Sequence, residues 1–134
     1  MVRDPVETCF SNLRELFSEA NPYSYDQQEL AAYFLQYQRL MRHWHAVFPG
    51  RIHDVDYAAL TRDPESTLRG VAEFCGLPFE PPMLDLQQRK RGVATASAVQ
   101  VRARIVVQEQ PKWLPYADYL QPMIKALRAG GAIT

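Results

Sequence analysis

Long apolar runs and an excess of one charge are both missing from this sequence. No run of about 18 or more apolar residues occurs, so no membrane-spanning helix is predicted. Fifteen basic residues balance fifteen acidic ones, which leaves no overall field to attract nucleic acid or an anionic membrane. The three histidines are too scattered for a metal site. We therefore expect a protein that binds neither nucleic acid nor membrane and holds no metal.

Cysteine is also scarce, with Cys9 and Cys75 the only two. Neither belongs to a metal-ligand spacing, and both fall on apolar faces of predicted helices, which predicts buried thiols. The sequence shows no secretory signal, so we expect a reducing, cytoplasmic environment. Free thiols are therefore favoured over a disulfide.

The composition that is present, 47% hydrophobic and 22% charged over 134 residues, suits a single globular domain spanning residues 1–134. Apolar periodicity predicts helices and one strand. Asp26 and Asp63 suit the N-caps of helices at residues 27–48 and 64–75, and Gly76 suits the end of the second. Two further helices fall at residues 5–19 and 115–129, the last kinked or restarted at Pro122. A strand falls at residues 51–57, and residues 101–107 form a short strand or a helical turn. Alternation of helix and strand predicts an α/β fold, of which this chain holds only part of the sheet.

The longest predicted helix carries one continuous apolar face. Its members are Leu30, Phe34, Tyr37, Met41, Trp44 and Phe48. Steps of three and four residues place them on one side over five turns, so we expect this face to be core. Pairing of the helix with a partner chain is the alternative.

The opening residues predict an anion site. Asp4 suits an N-cap, Pro5 the first helical position, and Glu7 the third position of a capping box. Arg3 then lies at the helix start and Ser11 two turns further on. An anion there would meet a guanidinium, a hydroxyl and the positive end of a helix. An ordinary capped helix with a surface arginine is the alternative.

Five segments in order resemble the sulfotransferases that use 3′-phosphoadenosine-5′-phosphosulfate (PAPS), especially bacterial and protein-tyrosine members. They are the Arg-Asp-Pro-x5-Ser start, residues 55–65 with Tyr57 and an Asp-Pro-Glu, the Phe-Cys-Gly-Leu of residues 74–77, the loop of residues 91–102, and Lys112-Trp113 with Tyr116. No one motif is diagnostic, but the ordered set is specific.

The resemblance implies a nucleotide site for PAPS or its product PAP (3′-phosphoadenosine-5′-phosphate). The implied cofactor-binding residues are Arg3, Ser11, Tyr57, Arg91, Ser97, Gln100, Arg102 and Lys112. Arg3 and Ser11 would hold the 3′-phosphate, and Tyr57 would contact the adenine. Ser97 would lie near the bridging oxygen as the catalytic residue. A helix cap is the less favoured alternative for Ser97. Taken without the resemblance, Tyr57 is equally a core tyrosine at a strand end.

The family pattern is matched only in part. Ala58 stands where the family has a glutamate, and the Gly-rich loop that binds the 5′-phosphosulfate has no counterpart among the six glycines. The resemblance thus implies the C-terminal part of a P-loop-like three-layer α/β fold, mostly helical with one or two parallel strands. An apolar flank would remain, which a homodimer would bury.

The same gap bears on activity. We expect these residues to bind nucleotide for sulfuryl transfer to a hydroxyl or amine acceptor, but to be inactive as an isolated fragment, since the loop and the catalytic base are missing. A non-catalytic nucleotide-binding module and a helical protein-interaction domain are the alternatives. The sequence leaves the acceptor open.

Overall fold

The computed structural model describes residues 1–17, 21–84 and 110–134, of which 63% are helical. The α-helices are α1 (Pro5–Leu13), α2 (Gln27–Val47), α3 (Tyr57–Arg62), α4 (Pro64–Phe74) and α5 (Gln121–Ala129), with short 3₁₀ helices at Pro22–Tyr25, Pro81–Leu84 and Leu114–Tyr116. The chain divides into two compact units. Met1–Val2 and His53–Gln108 form the α3/α4 unit, and Arg3–Ile52 and Glu109–Thr134 form the α1/α2/α5 unit.

Aspartate caps set the starts of the first four α-helices. Asp4, Asp26, Asp56 and Asp63 each accept a hydrogen bond from a backbone N–H in the first turn of the helix that follows. Such a bond satisfies one of the amides that a helix start leaves without a partner. The predicted caps at Asp4, Asp26 and Asp63 are confirmed.

Asp26 holds the start of the longest helix, so its removal has a measurable cost. Its Oδ1 accepts from Gln28 N at 2.8 Å and Glu29 N at 2.9 Å. We expect Asp26→Ala to lower the free energy of unfolding by about 1 kcal/mol, because the first amides of α2 lose their acceptor. Denaturant titration followed by circular dichroism measures this. Asp26→Asn keeps an acceptor and should unfold near the wild-type midpoint; equal losses in both variants would contradict the role of the cap.

One apolar cluster forms the core of the α1/α2/α5 unit. Its buried members are Val6, Cys9, Phe10, Leu30, Ala31, Phe34, Leu120, Met123, Ile124 and Leu127. Each helix contributes residues three or four positions apart, which is the spacing of one helical face. Gly130 lies so close to Leu35 that a Cβ atom there would overlap the Leu35 side chain, so a larger residue would force Leu35 to move.

The prediction that the whole apolar face of α2 is core is only partly right. Leu30 and Phe34 are buried, but further along the same face Tyr37 is 42% exposed, Trp44 38% and Phe48 49%. The core that α5 and α1 provide covers only the first turns of α2. Periodicity identifies which residues share a face, but not how far along the helix a neighbour extends.

The expected α/β fold, with one or two parallel strands in a three-layer arrangement, is wrong for the described residues. They contain one isolated parallel bridge, Val2 to Asp56, and no strand or sheet. Val2 N donates to Val55 O at 2.7 Å and Tyr57 N donates to Val2 O at 2.9 Å. The pairing stops there because Asp56 caps α3, so the backbone turns helical at Tyr57 where the sequence predicted a strand.

Helix ends follow local sequence more closely than the strand does. Gly76 has φ +67° after α4, as the predicted helix-ending glycine requires. The predicted restart at Pro122 is confirmed, since Pro122 lies in the first turn of α5. In contrast, α1 ends at Leu13, earlier than the predicted residue 19. None of the helices in the described ranges has the length and apolar character needed to cross a membrane.

Candidate functional site

Arg3, Glu7 and Ser11 form a line of polar side chains along one flank of α1. Arg3 immediately precedes the cap, and Glu7 and Ser11 follow at intervals of four residues, which places them on one helical face. Arg3 Nη2 donates to Glu7 Oε1 at 2.8 Å, and Arg3 Nη1 donates to Ser11 Oγ at 3.4 Å. The structure therefore brings together the two residues that the sequence predicted for an anion site.

The helix start itself is already occupied by a carboxylate. The Asp4 side-chain oxygen Oδ1 accepts a hydrogen bond from Glu7 N at 2.7 Å. The backbone carbonyl oxygen of Asp4 accepts from Thr8 N at 2.9 Å. The predicted site included the positive end of α1, but Asp4 places a negative charge there. The guanidinium of Arg3 instead lies back along the side of the helix, toward Ser11.

Only half of the predicted capping box forms. Asp4 bonds to Glu7 N as predicted, but the carboxylate of Glu7 pairs with Arg3. An ionised donor makes the stronger hydrogen bond, so the guanidinium competes successfully with a backbone amide for the carboxylate. The sequence signal for this pair is the interval of four residues between Arg3 and Glu7. The sequence-based prediction instead had Glu7 complete the capping box with Asp4.

Burial differs sharply within this ion pair. The Arg3 side chain retains 27% of its exposure, whereas that of Glu7 retains 6%. Glu7 Oε2 is buried and makes no hydrogen bond. A buried carboxylate is costly without a partner. Arg3 therefore stabilises the buried carboxylate of Glu7 with a side chain that is itself partly exposed.

Two further residues of the predicted site, Tyr57 and Lys112, fall within the described residues. Tyr57 is the first residue of α3, in the α3/α4 unit, and is 37% exposed. Lys112 is exposed in the α1/α2/α5 unit, just before Trp113, whose ring packs on the core. The ring of Tyr116 lies 5.4 Å from that of Phe10 on α1, so the segment after Lys112 packs beside α1. Arg91, Ser97, Gln100 and Arg102 lie outside the described residues, as does the segment at 101–107.

The two cysteines differ in their surroundings. Cys9 is 1% exposed on the inner face of α1, and burial, with a smaller contribution from the charge of Asp4, raises its pKa from 9.0 to about 12. Cys75 is exposed, so the prediction that it is buried is wrong. Both thiols are free. Within residues 1–17, 21–84 and 110–134, no cluster of three or more His, Cys, Asp or Glu residues could hold a metal ion.

Comparison with known proteins identifies the family. The model for the Sulfotransferase family matches residues 1–81, which include Arg3, Ser11 and Tyr57. Over 131 residues, or 96% of this chain, the sequence is 35% identical to an uncharacterized protein of Aquifex aeolicus (strain VF5), and it spans 17% of that protein's length. No solved structure matches. The chain belongs to the sulfotransferase family, which confirms the resemblance found in the sequence.

Proposed function

We propose that this chain contributes to a PAPS-dependent sulfotransferase by holding the 3′-phosphate of the nucleotide on the flank of α1. The observation that carries the proposal is the contact between Arg3 Nη1 and Ser11 Oγ at 3.4 Å. It joins two phosphate-binding side chain types across eight residues of sequence. Family membership supports a sulfate donor of this kind.

The donor groups suit a phosphate in both charge and shape. A guanidinium presents several N–H donors in one plane, and a serine hydroxyl adds a further donor beside it. The Arg3 side chain is 27% exposed, so a phosphate can reach it from solvent. Charge-assisted hydrogen bonds are also stronger than neutral ones. These residues fit the 3′-phosphate of PAPS or PAP.

Positioning is the contribution that such a site makes to transfer. PAPS, when bound, supplies the sulfuryl group, and the protein holds the nucleotide so that the acceptor can approach in line. Arg3 and Ser11 would fix the ribose end of the nucleotide and offset its charge. We further propose that Tyr57 contacts the adenine and that Lys112 completes the cleft. Ser97, outside the described residues, remains our proposed catalytic residue near the bridging oxygen, with Arg91, Gln100 and Arg102 as further nucleotide contacts.

Removal of the Arg3 guanidinium tests the proposal. We expect Arg3→Ala to weaken binding of PAP about tenfold or more, since a charge-assisted hydrogen bond contributes roughly 1.5–3 kcal/mol. Binding of 5′-AMP, which has no 3′-phosphate, should not change. Isothermal titration calorimetry with both nucleotides measures the difference.

Arg42→Ala is the matched control, because Arg42 is an exposed arginine on α2 of the same unit. It removes the same charge from the protein and should bind PAP as the wild type does. Equal affinity of wild type and Arg3→Ala for PAP would contradict the proposal. So would a wild-type chain that binds PAP and 5′-AMP equally well.

A further inference from the structure

We infer that Glu7 is a positioning residue for this site: its carboxylate holds the Arg3 guanidinium beside Ser11 in the orientation that a 3′-phosphate requires. The inference rests on the proposed function and adds to it a residue that makes no contact with the ligand. The contact that supports it is the 2.8 Å hydrogen bond from Arg3 Nη2 to Glu7 Oε1.

Arg3 needs such a partner because of its place in the chain. It precedes the Asp4 cap, so its backbone is not part of the regular hydrogen bonding of α1. An arginine side chain also has many rotamers, whose loss opposes binding unless the guanidinium is held beforehand. Its contact with Ser11 is long, at 3.4 Å, and a neutral hydroxyl is a weak acceptor compared with a carboxylate. Of these two contacts, the one with Glu7 is therefore the stronger restraint.

Glu7 is itself well fixed. Its backbone N–H bonds to Asp4, and its side chain is only 6% exposed against the body of the unit. Because Oε2 has no hydrogen bond, Arg3 is the partner that offsets the burial of this carboxylate. The pairing is mutual, and a guanidinium that swings away would leave a buried charge behind. Burial also keeps the carboxylate away from a phosphate that approaches from solvent.

Two substitutions at Glu7 separate positioning from space-filling. Glu7→Gln keeps the volume and an oxygen acceptor for Arg3, whereas Glu7→Met keeps the volume and removes the acceptor. We expect Glu7→Met to weaken PAP binding about tenfold and Glu7→Gln to stay within about threefold of wild type. Binding of 5′-AMP should be unchanged in both. Titration calorimetry of the full chain with the two nucleotides gives these values.

A double-mutant cycle provides the readout that a merely structural role would not change. In the Arg3→Ala background, Glu7→Met should cause no further loss of PAP affinity, since the group that it positions is gone. A full additional loss there would overturn the inference. So would Glu7→Met binding PAP as tightly as Glu7→Gln in the background with Arg3.

NMR of the wild-type chain tests the restraint without relying on a variant that folds. The Arg3 guanidinium should rotate about its Nε–Cζ bond much more slowly than that of Arg42, since Glu7 engages Nη2. Equal rotation rates would overturn the inference. The two proposals also fail differently: if Arg3→Ala binds PAP as wild type does, the 3′-phosphate site is wrong. If Arg3→Ala binds PAP more weakly but the Glu7 variants bind it as the wild type does, the 3′-phosphate site stands and Glu7 does not position Arg3.

Discussion

Leu127→Ala is expected to lower the free energy of unfolding of the α1/α2/α5 unit by about 2–5 kcal/mol, the usual range for such a truncation in a packed core. Leu127 is 0% exposed and belongs to the cluster that joins α1, α2 and α5. Native domains are stable by only about 5–15 kcal/mol, so the loss is a large part of the total. Urea titration followed by helical circular dichroism measures it.

Leu16→Ala is the matched control for this change. Leu16 lies in the same unit but is 80% exposed, so the same truncation removes little buried surface. It should shift the free energy of unfolding by no more than about 0.5 kcal/mol. Similar losses for the two leucines would show that the cluster around Leu127 is not the core of this unit.

Cys9 is expected to be alkylated about a thousandfold more slowly near pH 8 than an exposed thiol of ordinary pKa. Thiolate is the reactive form, and raising the pKa of Cys9 from 9.0 to about 12 lowers its thiolate fraction by roughly that factor. Burial of Cys9 adds to the difference because the reagent must reach the sulfur, whereas Cys75 is exposed. Iodoacetamide followed by mass spectrometry should show one modified cysteine in the native chain and two in urea.

The variant Cys75→Ser leaves Cys9 as the one cysteine, so that its labelling is measured alone. The native variant should take up almost no label at pH 8, and it should be labelled fully once unfolded. Rapid labelling of the native variant would mean that the inner face of α1 opens readily, in conflict with the packing of Cys9 in the core.

Local features of the fold were predictable from the sequence because their causes are local. Asp26 and Asp63 each accept a hydrogen bond from a backbone amide two or three residues further along the chain. Such a cap depends on neighbouring sequence and needs no distant partner. Gly76 ends α4 because a positive φ favours glycine. The predicted strand at residues 51–57 was wrong because a strand depends on residues that are distant in sequence. A ladder needs a partner distant in sequence, and Val2 offers Asp56 only an isolated bridge.

The sequence indicated the geometry of the candidate site and the burial of side chains only in part. The interval between Arg3 and Ser11 indicated that they share one helical flank, because four-residue steps on a helix coincide in space, and the two side chains are in contact there. The role of Glu7 was missed, since a capping box and an ion pair to Arg3 compete for the same carboxylate. Cys75 lies on an apolar stripe that nothing in the described residues fully covers.

The composition of the α1/α2/α5 core also constrains the order in which a growing chain can fold. The core combines Phe34 and earlier residues with Leu120 and later ones. At a synthesis rate of about 5–20 residues per second, the first group leaves the ribosome on the order of ten seconds before the second. During that interval Val6, Phe10 and Leu30 have no α5 to pack against. These apolar side chains therefore stay exposed while the chain is being made, and such transiently exposed surface promotes aggregation.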